Sequence, residues 1–196
     1  ADLIVIGQAD PDDPFGDWHL VEDIVLKSGR PILIVPHAGE FTMVGRRVMV
    51  AWNRTRESAR ALHDSLPILA RAEDVIVLEI NPPNTKDLPV GEIEAYLARF
   101  DIRVKTSRIF TGSESEAVDP SMSTVGDFGF SGHGEVRHSP AARISEGDAL
   151  LAAVDDATID LLVMGAYGHS RLREIVFGGV TRHVLQEMTT PVLMSH

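Results

Sequence analysis

Apolar residues along this chain gather into short runs, each followed by a stretch in which they recur at helical spacing. Arg47-Val-Met-Val-Ala-Trp52, Asp74-Val-Ile-Val-Leu-Glu-Ile80, Ile102 to Ile109 and Ile159-Asp-Leu-Leu-Val-Met164 have the length and content of strands buried on both faces. Between and after them, Thr55 to Arg71, Val90 to Phe100 and Val180 to Met188 are spaced as helices, the first with Glu57 and Arg60 facing outward and Pro67 placed to kink it. Alternation of this kind predicts an α/β fold, a parallel sheet with helices on both faces. Residues 44–196 supply five strands and four helices, a complete domain.

The chain also repeats part of itself. Asp2-Leu-Ile-Val-Ile-Gly7 reads almost letter for letter as Asp160-Leu-Leu-Val-Met-Gly165, and Pro31-Ile-Leu-Ile-Val35 echoes Pro191-Val-Leu-Met-Ser195. From glycine to proline is 24 residues in the first copy and 26 in the second, each enclosing a helical stretch, Asp17 to Ser28 and Val180 to Met188. This is a duplicated strand-helix-strand unit. Residues 1–40 therefore read as the last part of a first repeat, and 44–196 as a complete second one. Two parallel strands and one helix cannot bury their own faces. The chain starts at Ala1, inside a strand, which predicts a truncated or processed form of a longer tandem protein. The rival expectation is that this unit packs on the complete domain or on a second chain, Ile32 to Val35 lying edge to edge with Val192 to Ser195.

Candidate chemistry gathers behind the fourth strand of the complete domain. Gly165-Ala-Tyr-Gly168 is followed nine residues later by Gly178-Gly179-Val180-Thr181, where a parallel strand should empty into a helix. Glycines there let backbone approach an anion, and the N–H groups at the helix start point at it. After Gly7 the first copy reads Gln-Ala-Asp-Pro-Asp-Asp-Pro14 instead, whose three carboxylates would repel phosphate. Residues 111–143 form a long insert rich in Gly, Ser, His and acidic residues, expected to be disordered or a lid anchored by Met122, Phe128 and Phe130.

Charge and composition narrow the classes of function. Apolar content of 44% and charged content of 24% are ordinary for a soluble globular protein. A formal charge of −11 and a pI near 5.1, with no basic stripe, argue against nucleic-acid binding. No membrane-spanning stretch or leader pattern is visible, and the lack of cysteine rules out disulfides and thiolate metal sites, so a cytoplasmic protein is expected. The eight histidines carry no metal-binding spacing. Ser131 in Gly129-Phe-Ser-Gly132 is not a nucleophile elbow, and no Walker lysine follows the glycines. Trp52, at the end of the first strand, is a packing residue or a stacking platform.

The glycine pattern after Leu162-Val-Met-Gly165, the strand Val48-Met-Val-Ala-Trp52 with Arg56-Glu-Ser-Ala-Arg-Ala61 behind it, and the closing Pro191-Val-Leu-Met resemble the universal stress proteins of the tandem bacterial type. The resemblance covers 46–110 and 144–196. It implies an open five-stranded parallel sheet of order 3-2-1-4-5, of the adenine nucleotide alpha hydrolase-like kind. It further implies homodimeric or pseudo-dimeric pairing through the last strand and, in one branch, ATP or AMP at the switch between first and fourth strands, with Mg²⁺ reaching the site through the phosphates.

Carried over residue by residue, the pattern puts Gly165, Gly168 and Gly178 at the family's spacing, with Gly179 where a hydroxyl belongs and Thr181 two positions on. Ile80 and Met164 would wall the adenine. Ala51 and Val180 would complete the lining, and Asn53 would replace the usual Asp, removing a hard oxygen ligand for the metal. Arg54, His169, Arg171 and Arg173 would offset the overall negative charge locally. The function implied is a stress-response regulatory protein that binds adenine nucleotide without a general base, so that any hydrolysis is slow. The alternatives are a dimerisation or interaction module with a vestigial site, and a nucleotide-using enzyme with His169 or the insert over the cleft.

Overall fold

The computed structural model describes residues 2–9, 18–82, 91–111, 135–138, 144–166 and 179–196. Its elements run β1 (Ile4–Gly7), α1 (Trp18–Lys27), β2 (Ile32–Val35), β3 (Arg47–Ala51), α2 (Arg56–Leu69), β4 (Asp74–Ile80), α3 (Gly91–Ala98), β5 (Lys105–Phe110), β6 (Glu135–His138), α4 (Glu146–Asp156), β7 (Leu161–Gly165), α5 (Gly179–Glu187) and β8 (Val192–Ser195). Boundaries follow local chemistry. Thr55 caps α2 by accepting from the Ser58 N–H at 3.2 Å, and Ser145 caps α4 through the Asp148 N–H at 3.0 Å. After α3, Asp101 turns at φ 59° and Ile102 is a buried plug, so β5 starts at Lys105 rather than at Ile102 as expected.

All eight strands join one sheet of order β1-β2-β8-β7-β3-β4-β5-β6. The expected five-stranded order sits inside it as β5-β4-β3-β7-β8, and the sheet is longer at both ends. β6, drawn from the insert, pairs in parallel with β5, Ser107 opposite Glu135 and Phe110 opposite His138. Residues 135–138 of the insert thus form an edge strand; Met122, Phe128 and Phe130, the expected anchors of a lid, lie outside the described residues. At the other end β2 pairs with β8 in antiparallel fashion, Ile32 opposite Met194 and Ile34 opposite Val192. The sheet is therefore mostly, not wholly, parallel. With β7 on one side and β2 on the other, β8 keeps no free edge for a second chain.

Two apolar layers cover the sheet. α1, α4 and α5 bury Met49, Leu78, Leu162, Met164 and Met194 on one face, around Leu150, Val184 and Leu185. On the other, α2 and α3 bury Val48, Val50, Val77, Leu161 and Val163 around Leu62 and Leu97. The alternation along β3 and β7 is the period-two rule of a strand buried on both sides.

Polar ties hold the N-terminal unit to the rest. Gln8, buried, donates from Nε2 to the Leu185 and Gln186 carbonyls at 2.8 and 3.1 Å, and its Oε1 accepts from the His37 N–H at 3.1 Å. Arg60 donates to the His196 carbonyl at 2.7 Å and to the Gly29 carbonyl at 2.8 Å. The Asp160 carboxylate accepts from the backbone N–H groups of Gly45, Arg46 and Arg47, which fixes where the chain turns into β3. Among the described residues no helix is long and apolar enough to cross a membrane.

Candidate functional site

The carboxyl ends of β3 and β7 lie side by side, Ala51 opposite Met164, with β4 flanking β3 so that Ala51 also faces Leu78. From these two ends the chain departs to opposite layers, β3 into α2 on one face and β7 towards α5 on the other. In an open α/β sheet such a divergence leaves a crevice where ligands bind. Ala51, Ile80 and Val180 are partly buried hydrophobics packed against the core cluster that contains Met164, so four of the residues singled out in the sequence belong to one apolar layer.

The start of α5 borders the same region. Gly179 opens the helix and is exposed, and a Cβ added there would meet none of the described residues within 4 Å. Thr181, one turn in, is buried at 4% exposure. Gly168, His169, Arg171 and Gly178 lie outside the described residues, as do Arg173 and the three carboxylates of the first copy.

Gly165 owes its identity to packing. A Cβ there would stand 2.5 Å from the Glu57 carbonyl carbon and the Ser58 nitrogen. The first turn of α2 is pressed onto the end of β7, and the missing side chain permits it. The same contact corrects the expectation for Glu57, which is buried at 8% exposure instead of facing outward. Burial by itself would raise its pKa, but the N–H of its own residue, Arg56 at 3.1 Å and Thr55 together hold the carboxyl below the usual range.

Asn53 is exposed, and its Oδ1 accepts from the Thr55 N–H at 3.2 Å and the Thr55 hydroxyl at 2.8 Å. Its carbonyl thus serves the start of α2, and the amide NH₂ is what it can turn to an anion. Arg54 departs from expectation. With φ at 63° its side chain is carried to the α2–α3 face, where Nη2 lies 2.6 Å from Glu79 Oε1, so its charge is spent away from the crevice. Sequence reasoning missed Glu79, although a lone carboxylate in the apolar run of β4 was the available signal. It also missed Asn81, which turns at φ 47°, donates to Thr111 Oγ1 at 2.8 Å and to Glu146 Oε1 at 3.0 Å, and so ties the ends of β4 and β5 to α4 beside the crevice.

Among the described residues there is no group of three His, Asp or Glu side chains fit to hold a metal ion. With Asn53 in place of a carboxylate and Glu57 turned to Arg56, these side chains do not form a Mg²⁺ site, and the ion would have to arrive on a ligand's own phosphates.

Residues 45–196 match the universal stress protein family, and the chain belongs to that family. Among curated relatives, Universal stress protein Slr1230 of Synechocystis sp. is 48% identical over 46 residues, 24% of this chain and 16% of that one. Universal stress protein MJ0577 of Methanocaldococcus jannaschii is 32% identical over 47 residues, 24% of this chain and 29% of that one. Among solved structures, a universal stress protein of Archaeoglobus fulgidus DSM 4304 superposes with a TM-score of 0.65 at 15% identity, over 99% of this chain and 62% of that one. A universal stress protein of Pseudomonas aeruginosa UCBPP-PA14 gives 0.54 at 16% identity over 99% and 63%. The likeness to these structures is one of fold. This chain spans about three fifths of each, and its aligned stretches are small parts of the curated relatives.

Proposed function

We propose that this chain is a regulatory protein that holds an adenine nucleotide, ATP or AMP, in the crevice between β3 and β7. The observation that supports the reading is that Ala51 and Met164 face each other at the carboxyl ends of β3 and β7, where the two strands send their chains to opposite faces; we read these two with Ile80 and Val180, of the same apolar layer, as a wall of the crevice. The wall suits a purine face. The glycine run Gly165, Gly168, Gly178 and Gly179 supplies amides that a polyphosphate needs, and the amide of Asn53 is a donor where a carboxylate would repel it. Family membership and the sequence pattern support the same ligand class.

In this reading β1, α1 and β2 are the closing part of a first repeat, and the antiparallel seam with β8 is the pseudo-two-fold contact between repeats. That seam makes the protein a pseudo-dimer within one chain. The protein acts by binding, and hydrolysis is at most slow. The test is to purify the chain without added ligand, release bound material by heat, identify it by chromatography, and titrate the emptied protein with ATP and AMP by calorimetry. Copurified adenine nucleotide, or heat at micromolar levels that Gly168→Asp abolishes, is expected. No nucleotide and no heat at high micromolar concentration would overturn the proposal.

A further inference from the structure

On the face of the sheet away from that crevice a cavity of about 590 Å³ opens between α2 and α3. Its volume lies within the roughly 300–1,000 Å³ of small-molecule sites. Trp52, Leu62, Val77, Ile93 and Tyr96 make its walls, so that two aromatic rings and three aliphatic side chains bound a mostly apolar space. Strand alternation explains why it is distinct from the nucleotide crevice, since Ala51 packs with one core layer and Trp52 with the other.

The polar end of this cavity is an assembled charge cluster. Glu79 Oε1 accepts from Arg54 Nε at 3.1 Å and Nη2 at 2.6 Å, and Oε2 accepts from Arg108 Nε at 2.9 Å. The three side chains are 12%, 28% and 18% exposed for Glu79, Arg54 and Arg108. Arg108, on β5 and not among the residues lining the cavity, offsets the Glu79 charge, so that Arg54 is the cation the cavity itself presents beside low-dielectric walls. Arg54 holds this place with φ at 63°, a conformation that non-glycine residues rarely adopt. Glu92, also at the cavity, is exposed on the first turn of α3, where solvent screens it.

We infer that this cavity is a second binding site, for a small organic monoanion with an aromatic or branched apolar body: the body lies between Trp52 and Tyr96 and the carboxylate or sulfonate pairs with Arg54. One lining arginine matches one anionic group and not a polyphosphate, so this ligand differs in class from the nucleotide.

The test titrates the full chain with 1-anilinonaphthalene-8-sulfonate, followed by fluorescence, and displaces the dye with indole-3-acetate, tryptamine or ATP. Binding at micromolar levels is expected, reversed by indole-3-acetate and at least tenfold less well by tryptamine or ATP. Arg54→Gly, which suits the positive φ, should weaken dye binding at least tenfold. Ala59→Trp, a bulky group on the exposed side of α2 at the cavity, should do the same by filling the space, and it decides the matter alone if Arg54→Gly fails to fold. Absence of dye binding, equal displacement by tryptamine, displacement by ATP, or unchanged affinity in the folded variants would each overturn the inference. Calorimetric nucleotide binding is read separately, so failure here leaves the crevice reading standing.

Discussion

Gly165 and Ser58 meet at a distance that leaves no room for a side chain: a Cβ on Gly165 would lie 2.5 Å from the Ser58 backbone nitrogen. The partner atoms are backbone at the start of a capped helix, so they cannot swing aside. Gly165→Ala is therefore expected to lower stability by about 1–3 kcal/mol through overpacking. At its counterpart in the first copy, Gly7, a Cβ would meet none of the described residues within 4 Å, and Gly7→Ala should change stability by less than about 0.5 kcal/mol. Urea unfolding of both variants checks the pair, and equal losses would contradict the packing argument.

Gly179 presents the opposite case at the other border of the crevice. Because no described residue comes within 4 Å of its Cβ position, Gly179→Ser introduces a hydroxyl that meets no clash among the described residues. One added hydrogen bond is worth about 0.5–1.5 kcal/mol, so nucleotide should bind about two- to tenfold more tightly. Calorimetric titration with ATP measures it; an affinity that falls would place the phosphates elsewhere.

Gln8 joins the N-terminal unit to the end of α5 and to His37 from one buried amide. Gln8→Ala leaves those carbonyls and the His37 N–H without that partner, a loss of about 1–3 kcal/mol. The loosening should concentrate at the β2–β8 seam. Hydrogen exchange at Ile32, Leu33 and Ile34 is expected to speed up while Val48 and Val50 in β3 change little.

Acid should act through Glu57. Its folded pKa lies below the ordinary 4.5, so the stability it contributes is fully present above that value and is lost as the pH falls through the folded value. Glu57→Gln should flatten this part of the acid limb, with little difference between the proteins' pH slopes above about pH 5. A series of thermal midpoints across the acid range distinguishes this from a variant that merely shifts the whole curve.

Much of this architecture is written locally. The self-similarity of the two strand-helix-strand units reappears as matching hydrogen bonds: Ile4 N–H to the Pro31 carbonyl at 3.1 Å beside Leu162 N–H to Pro191 at 2.9 Å, and Gln8 N–H to Val35 at 2.7 Å beside Ala166 N–H to Ser195 at 2.9 Å. Apolar period and glycine position were enough to predict strands, helices and the parallel pairing within each unit, because those depend on neighbours in sequence and on a rule of sheet topology.

Contacts between distant segments decided the rest. That β2 closes against β8 within the chain, one of the alternatives the sequence left open, that residues 135–138 lend β6 to the far edge, and that Glu57 is buried where α2 meets the end of β7 all follow from which surfaces meet in three dimensions. Arg54 makes the point most sharply. By sequence it stands beside Asn53 near the crevice, yet a positive φ and the attraction of Glu79 carry its charge to the opposite layer. A left-handed residue just past the strand end turns the side chain away from the direction its neighbour takes, and the partner that fixes where the charge rests lies 25 residues away.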